Sequence, residues 1–524
     1  MKDVIQSKPQ GEAIHTTSLY TEESVIGKLW NWFSGIFSEE TKPTARHLFE
    51  LALSVLALDG FQSVKFNFEH FISEISDFEM KSFYYALNEG KIALSDWMEN
   101  LMRAALSLAP ESADALVLSV DDTLTEKFGE KFEHWGKLYD HAAHNGSHYL
   151  NGHCFVSLML SVPLKAAGQY LSFPVAYRMW TKERTKLEMA ADLVRSAMAV
   201  IGTERQVILC CDSWYPKDCV KRLIDEYPNL VIVCNARVDT ALYELPPAKT
   251  GEKGRPRVRG KRLSLKDIPL KEVPGSAYRI GCREVKTMLF GKRSVWAIVT
   301  QSEKGGQRRL FLCTKDPKEL RFDLSLADAK AALYAKADPD FLPLTIYSLR
   351  WEIETAYYEQ KTFWALGDYR LRSKVGIERL INLLTLCYSA VKLLPYLSED
   401  FCAPRGLSTQ QTRFALGRLI RQEVFSAALA RRPEIGKNTL ASFNCLKTLA
   451  FAFLQASSNW ETGVLMSKSR ISAGNKTDRR RYDDIIGVRG KNPGNLFKPA
   501  YHGRSPDRGA AFYAQPENAV RAAS

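Results

Sequence analysis

Tyr347, Arg350, Glu354 and Lys361, spaced by three, four and seven positions, set a phenol, a guanidinium, a carboxylate and an ammonium along one short stretch of chain. If that stretch is one helix, at about 100° per residue all four fall within roughly 60° of Tyr347. Ile346, Leu349, Ile353, Ala356 and Phe363 occupy a separate neighbouring arc, so the helix has an apolar side to bury and a functional side to present. A carboxylate flanked by two cations and a phenol suits a metal ion held beside a phosphate backbone: the carboxylate ligates, and Tyr, Arg and Lys donate to phosphate oxygens. The bland alternative is a solvated ion pair between Arg350 and Glu354, with Lys361 one turn further on.

Two more acids bear on that choice. The apolar run 115–120 ends in Asp121-Asp122-Thr123, and the run 207–211 leads straight into Asp212. Carboxyl ends of strands in open α/β sheets are common ligand sites. Three carboxylates converging from these segments and from Glu354 would bind two hard cations roughly 3.5–4 Å apart, the arrangement used for in-line attack on a phosphodiester. Either aspartate alone also reads as a turn or helix cap; the conjunction is what points to chemistry. Asp121 and Asp122 point to opposite faces of a strand, so one of them is expected to join the set.

The elements that must position these groups follow from apolar spacing. Residues 1–22 are polar and aperiodic, an expected flexible arm. Residues 23–110 carry helical spacing (Ile26, Leu29, Phe33 and Ile36, then Leu48, Leu51 and Leu56) and predict a helical domain, with DNA binding as its expected role. Over 111–237 the spacing shortens: strands at 115–120, 152–162 and 169–179, a helix at 185–201, a strand at 207–211, a helix at 217–226 and a strand at 230–234. That order describes an α/β fold, the mixed-sheet catalytic domain of the ribonuclease H-like type. Residues 238–323 form an expected β-rich insertion with a basic loop at 251–262 and strands at 277–283, 285–290, 294–300 and 309–314. The catalytic domain resumes over 324–396, a helical C-terminal region is expected over 397–466, and 467–524 reads as a disordered tail.

A formal charge of +13 and a pI near 9.1 favour a polyanionic partner, DNA ahead of an anionic membrane surface. The most apolar long stretch, 380–397, contains Lys392, so no membrane span is expected, and the polar N-terminus predicts a cytosolic protein. The ten cysteines include no CxxC pair and read as small buried hydrophobes. His141, His144 and His148 have metal-like helical spacing, but Asn145-Gly146 interrupts any such helix. Neither a GxxxxGK[ST] phosphate loop nor a GxSxG elbow occurs, which removes the commonest ATPase and hydrolase readings. Arg255 and Arg257, around Gly254 and Pro256, suit either a minor-groove hook or a basic loop that touches phosphates nonspecifically. Arg479-Arg480-Arg481 reads as a solvated run, and Trp296 as sheet core or as a ring for an extruded base.

Taken together, Asp-Asp-Thr after a first strand, Asp212 in Cys-Cys-Asp-Ser-Trp-Tyr, a β-rich insertion, and Tyr347, Arg350, Glu354 and Lys361 at Y-x2-R-x3-E-x6-K resemble the cut-and-paste DDE transposases of bacterial insertion sequences, in the branch with the Tyr-Arg-Glu-Lys signature. The likeness spans about residues 111–395. It implies that Asp122 (with Asp121 in reserve), Asp212 and Glu354 ligate two Mg²⁺ ions, for which Mn²⁺ substitutes. It also implies that Tyr347, Arg350 and Lys361 grip phosphates of double-stranded element ends, and that the freed 3′-hydroxyl attacks target DNA. A homodimer or higher assembly on DNA is expected. The alternatives are an inactive or domesticated relative that binds DNA without cutting it, and a ribonuclease H-like nuclease without strand transfer.

Overall fold

In the computed structural model, which describes residues 19–58, 61–109, 114–140, 146–247 and 257–431, the apolar spacings of three and four over residues 25–106 give a run of helices. These are α1 (Val25–Ile36), α2 (Lys42–Ala57), the short α3 (Val64–Asn67) and α4 (Ser73–Ile75), α5 (Met80–Glu89) and α6 (Leu94–Leu106). Ser24 and Thr41 cap α1 and α2 by accepting from the backbone N–H groups of Gly27 and Thr44. Leu19 and Tyr20, expected in a flexible arm, instead pack against these helices: Leu19 is buried, and the Arg46 guanidinium lies 3.9 Å over the Tyr20 ring.

Beyond them lies a twelve-stranded mixed sheet. β1 (Leu116–Glu126) runs antiparallel to β3 (Tyr149–Leu164), which also pairs with β2 (Gly136–Tyr139) and β4 (Gln169–Met179). On its other side β1 pairs in parallel with β5 (Val207–Cys211), and β5 with β6 (Leu230–Ala236). Parallel neighbours need crossovers, supplied by α7 (Lys186–Ile201), which Thr185 and Glu188 start with a capping box, and by α8 (Asp218–Glu226). The order β4-β3-β1-β5-β6 is an open mixed α/β sheet, consistent with a ribonuclease H-like DDE domain.

The segment 238–323 supplies strands to that same sheet: β7 (Leu242–Tyr243), β8 (Arg262–Leu263), β9 (Lys271–Glu272), β10 (Tyr278–Thr287), β11 (Ser294–Ser302) and β12 (Arg309–Cys313). β12 pairs antiparallel with β6, from Leu310 with Ala236 to Cys313 with Val233. The strands expected at 277–283 and 285–290 are one strand, β10, because the ladder to β11 runs unbroken through Glu284 and Trp296. Arg283-Glu284 carries no Gly, Pro, Asn or Asp and so signals no turn. Trp296 is half-buried against the core on this side.

Period-two alternation gives the sheet two apolar faces. Leu116, Leu118 and Val120 of β1 enter the larger core, while Val117 enters the other with Ile208, Cys210, Val231 and Phe311. The second face is covered by α9 (Ala329–Ala337) and α10 (Leu342–Ser348), after which α11 (Trp351–Phe363) crosses toward the first. α12 (Lys374–Leu397) is long and apolar enough to cross a bilayer, yet most of that apolar window is buried against β4, α2, α5 and α6. The helices of 23–110 therefore share one continuous core with the sheet: Phe49, Leu53 and Trp97 belong to the same cluster as Leu384 and Tyr388. The last described helix, α13 (Thr409–Arg431), packs on α1 and α2, and the Glu423 carboxylate accepts from the Val25 and Ile26 N–H groups at 2.5 and 2.9 Å.

The chain after α11 is tied to the end of β1 by Lys127, whose ammonium donates to the carbonyls of Gly367 and Tyr369 and lies 3.6 Å over the Tyr369 ring. Burial pushes the Lys127 ammonium down to about 8 from an ordinary 10.5. Between those values the unfolded chain binds a proton that the folded one has released, so stability from this group increases with pH. Wild type should thus gain up to about 1.4 kcal/mol per pH unit over Lys127→Met as pH rises through that window in matched urea titrations. A difference that stays flat with pH would show that Lys127 keeps its ordinary proton affinity.

Candidate active site

The ladder between β1 and β5 ends at Val120 paired with Cys211. The next residue on each strand is an acid, Asp121 and Asp212, and adjacent parallel strands are about 4.8 Å apart, so the two face the same opening at the strands' carboxyl ends. Glu354 arrives from the first turn of α11. Arg350 joins these pieces: its Nη1 donates to Asp121 Oδ2 at 2.8 Å and to Glu354 Oε1 at 3.3 Å. Burial holds the Asp121 carboxyl well above the ordinary carboxylate range, and the charges of Glu354, Asp212 and Asp122 add to that, against the pull of Arg350.

Asp122, the acid favoured on sequence grounds, points the other way and is engaged there. Its Oδ2 accepts from Lys186 Nζ at 2.7 Å and lies 3.3 Å from Cys154 Sγ, and its Oδ1 accepts from the Tyr215 hydroxyl at 2.9 Å. Asp121, the reserve, is the residue in line with Asp212 and in contact with Arg350. The distinction depends on which residue of β1 stands opposite Cys211, and that register is set by pairing across some 90 residues of chain. Lys186 and Tyr215 were not singled out from the sequence. Lys186 had a partial signal, since the Thr185–Glu188 capping box marks it as the first residue of α7; Tyr215 had none.

The four-residue signature does not lie on one straight helix. At Leu349, Arg350, Glu352 and Ile353 the N–H groups reach back three residues, to the carbonyls of Ile346, Tyr347, Leu349 and Arg350, and this tighter winding separates α10 from α11. Each such residue turns about 120° instead of 100°, which brings Tyr347 nearly into line with Arg350 and swings it away from Glu354. It is 4% exposed, edge-on to Phe311 at 5.2 Å, with the Arg350 guanidinium 5.6 Å from its ring. The expected phosphate grip of Tyr347 is therefore corrected to a buried support beneath Arg350. Lys361 is exposed in the last turn of α11, within range of the Glu354 and Asp140 charges. Ile346, Ile353 and Ala356 are buried as expected, whereas Phe363 is substantially exposed. Tyr357, also not anticipated, is buried and meets the Ser157 hydroxyl at 2.5 Å. Arg257 is exposed; Arg255, like His141 and His144, lies outside the described residues.

Asp121, Asp212 and Glu354 offer hard oxygen donors, the kind that Mg²⁺ and Mn²⁺ take. Among the described residues, no three His, Cys, Asp or Glu side chains are grouped as a metal ion requires. Arg350 stands between two of the three acids, a cationic stand-in whose Nε is buried without a hydrogen-bond partner. The donor set fits a divalent ion once the guanidinium yields. Mg²⁺ and Arg350 then compete for the same carboxylates, so adding Mg²⁺ should raise the thermal midpoint of Arg350→Gln more than that of wild type. An equal or smaller rise in the variant would show that the guanidinium does not occupy the cation's place.

A family model described as DDE superfamily endonuclease matches residues 72–280. The match includes Asp121 and Asp212 and ends before Glu354. The match supports a domain of DDE transposase type, and nucleases of that superfamily act on DNA with divalent metal ions, typically Mg²⁺. No curated protein matches this chain.

Proposed function

We propose that this chain is a DNA transposase of the insertion-sequence type that binds the inverted repeats at element ends and moves the element by a cut-and-paste route. The observation that carries the reading is the alignment of Asp121 with Asp212 where the β1–β5 ladder opens, with Glu354 linked to Asp121 through Arg350. Asp121, Asp212 and Glu354 would hold Mg²⁺ or Mn²⁺, which when bound activates the attacking hydroxyl group or water and stabilises the leaving 3′ oxygen. Arg350 keeps Asp121 and Glu354 together and, displaced from them, has a phosphate of the scissile strand within its reach. Lys361, exposed one face along α11, meets a neighbouring phosphate. Tyr347 supports Arg350 from below. The Tyr-Arg-Glu-Lys spacing supports placement in the branch that carries that signature.

The net charge of +13 supports double-stranded DNA as the partner, with a dimer or larger assembly joining two ends in the cytosol. The helices of 23–110 and the basic segment at Arg255 and Arg257 are the proposed additional DNA contacts. A nuclease without strand transfer is the second reading, favoured by a family match that describes an endonuclease. Incubation with Mg²⁺ and labelled duplex taken from the boundary of the gene separates the two. Cleavage with a joined product is the expected result; cleavage alone selects the nuclease, and a complex that never cleaves would overturn both.

A further inference from the structure

Asp122 does not face the acids, and what it holds in place is a second surface. Lys186, anchored on Asp122, lies 5.3 Å from the Trp180 ring and 5.9 Å from the Trp214 ring. Tyr215, bonded to the other Asp122 oxygen, meets Trp214 edge-on at 5.1 Å. The Trp214 ring is 41% exposed, and Lys217 Nζ lies 5.7 Å from it. The chain at Trp214 is held beside the acids, because its backbone N–H donates to Asp212 Oδ1 at 2.9 Å.

The same alternation of rings and cations continues along the sheet's rim. Lys182, in the loop after Trp180, reaches the start of β2, where its Nζ lies 3.5 Å from the position a Cβ on Gly136 would take. One residue on, Lys137 Nζ sits 4.2 Å over the Tyr149 ring, which meets Tyr139 edge-on at 5.4 Å. Tyr149 is 52% exposed and Tyr139 49%. Bases inside a duplex are stacked on each other and cannot meet such rings, whereas an unpaired strand presents every base face with its phosphates beside it. Exposed rings with ammonium groups between them are the arrangement that holds a single strand.

We propose that the rim from Trp214 to Tyr149 binds single-stranded DNA a few nucleotides long, seating the strand that leaves or enters beside Asp212. Trp214 and Tyr149 stack bases, Lys182, Lys217 and Lys137 meet phosphates, and Asp122 acts as a positioning residue through Lys186 and Tyr215. That the strand is a cleavage partner rests on the function proposed above; the binding itself does not.

The full chain, kept in EDTA so that nothing is cut, is titrated into a labelled oligonucleotide of about 12 nucleotides containing 2-aminopurine, and in parallel into duplex of the same length. Trp214→Ala and Tyr149→Ala are each expected to weaken single-strand binding roughly 10-fold and to reduce the 2-aminopurine quench, with duplex binding changed much less. Trp214→Phe, which keeps a ring, should restore most of the loss. Single-strand binding unchanged in both alanine variants, or single-strand and duplex affinities falling in equal proportion, would overturn the proposal. Weakened self-association of the alanine variants with unchanged DNA binding would do the same, assigning the rim to a second copy of the chain. Nicking of duplex by wild type in Mg²⁺ reports separately. Nicking alongside unaltered single-strand binding by the variants sinks the rim and spares the transposase reading; no nicking alongside weakened single-strand binding does the reverse.

Discussion

Asp121→Asn, Asp212→Asn and Glu354→Gln will each lower Mg²⁺-dependent DNA cleavage by roughly 10³-fold or more, because a lost carboxylate ligand removes several kcal/mol of charge stabilisation in the transition state. Asp122→Asn will lower it by about tenfold or less, through misplacement of Lys186 and Tyr215. The contrast between neighbours is the informative part. Side chains of adjacent strand residues point to opposite faces, and only Asp121 shares a face with Arg350. All four variants should still bind duplex DNA in EDTA. If Asp122→Asn proved the more damaging of the pair, the first acid would be Asp122 and the side chains would have to regroup around it.

Arg413→Ala will cost at least about 3 kcal/mol of folding stability. Arg413 is fully buried. Its guanidinium donates to the carbonyl of Phe363 at 2.6 Å, of Val55 at 2.9 Å and of Leu58 at 2.6 Å, and lies 4.5 Å over the Trp364 ring. Those carbonyls end α2 and α11, so one side chain of α13 closes the carboxyl ends of two helices and ties the N-terminal helices to the element bearing Glu354. Removing it strands buried acceptors and leaves a cavity beside Trp364. Arg413→Met, which fills the volume but donates nothing, should recover only a minor part. Urea denaturation followed by tryptophan fluorescence measures this, and a loss under about 1 kcal/mol would show that water replaces the guanidinium at those carbonyls.

Local patterns were legible wherever one period dominated. Gln169–Met179 and Val207–Cys211 are strands with the bounds their sequence predicts, and the Thr185–Glu188 box marks the start of α7. What could not be read was pairing at a distance. Nothing local tells that β12 adds to β6 and so carries the segment after 238 into the main sheet, nor that Cys211 stands opposite Val120 and thereby selects Asp121. Tyr347 was misplaced for a different reason. A few backbone bonds reaching back three residues instead of four turn it away from Glu354 and under Arg350, and it lies in the core beside Phe311. The apolar stretch 380–397 reads only as too interrupted for a membrane span, and nothing local tells that α12 packs on α2 and α5 as well as β4, merging the N-terminal helices into one core with the sheet.

The most direct test of the proposed metal centre is a crystal grown with Mn²⁺ and examined by anomalous scattering. The expected result is a manganese peak bounded by the carboxylates of Asp121, Asp212 and Glu354, with the Arg350 guanidinium moved off the two it bridges. A peak on Asp122, or Mn²⁺ bound elsewhere while Arg350 still joins Asp121 to Glu354, would contradict it.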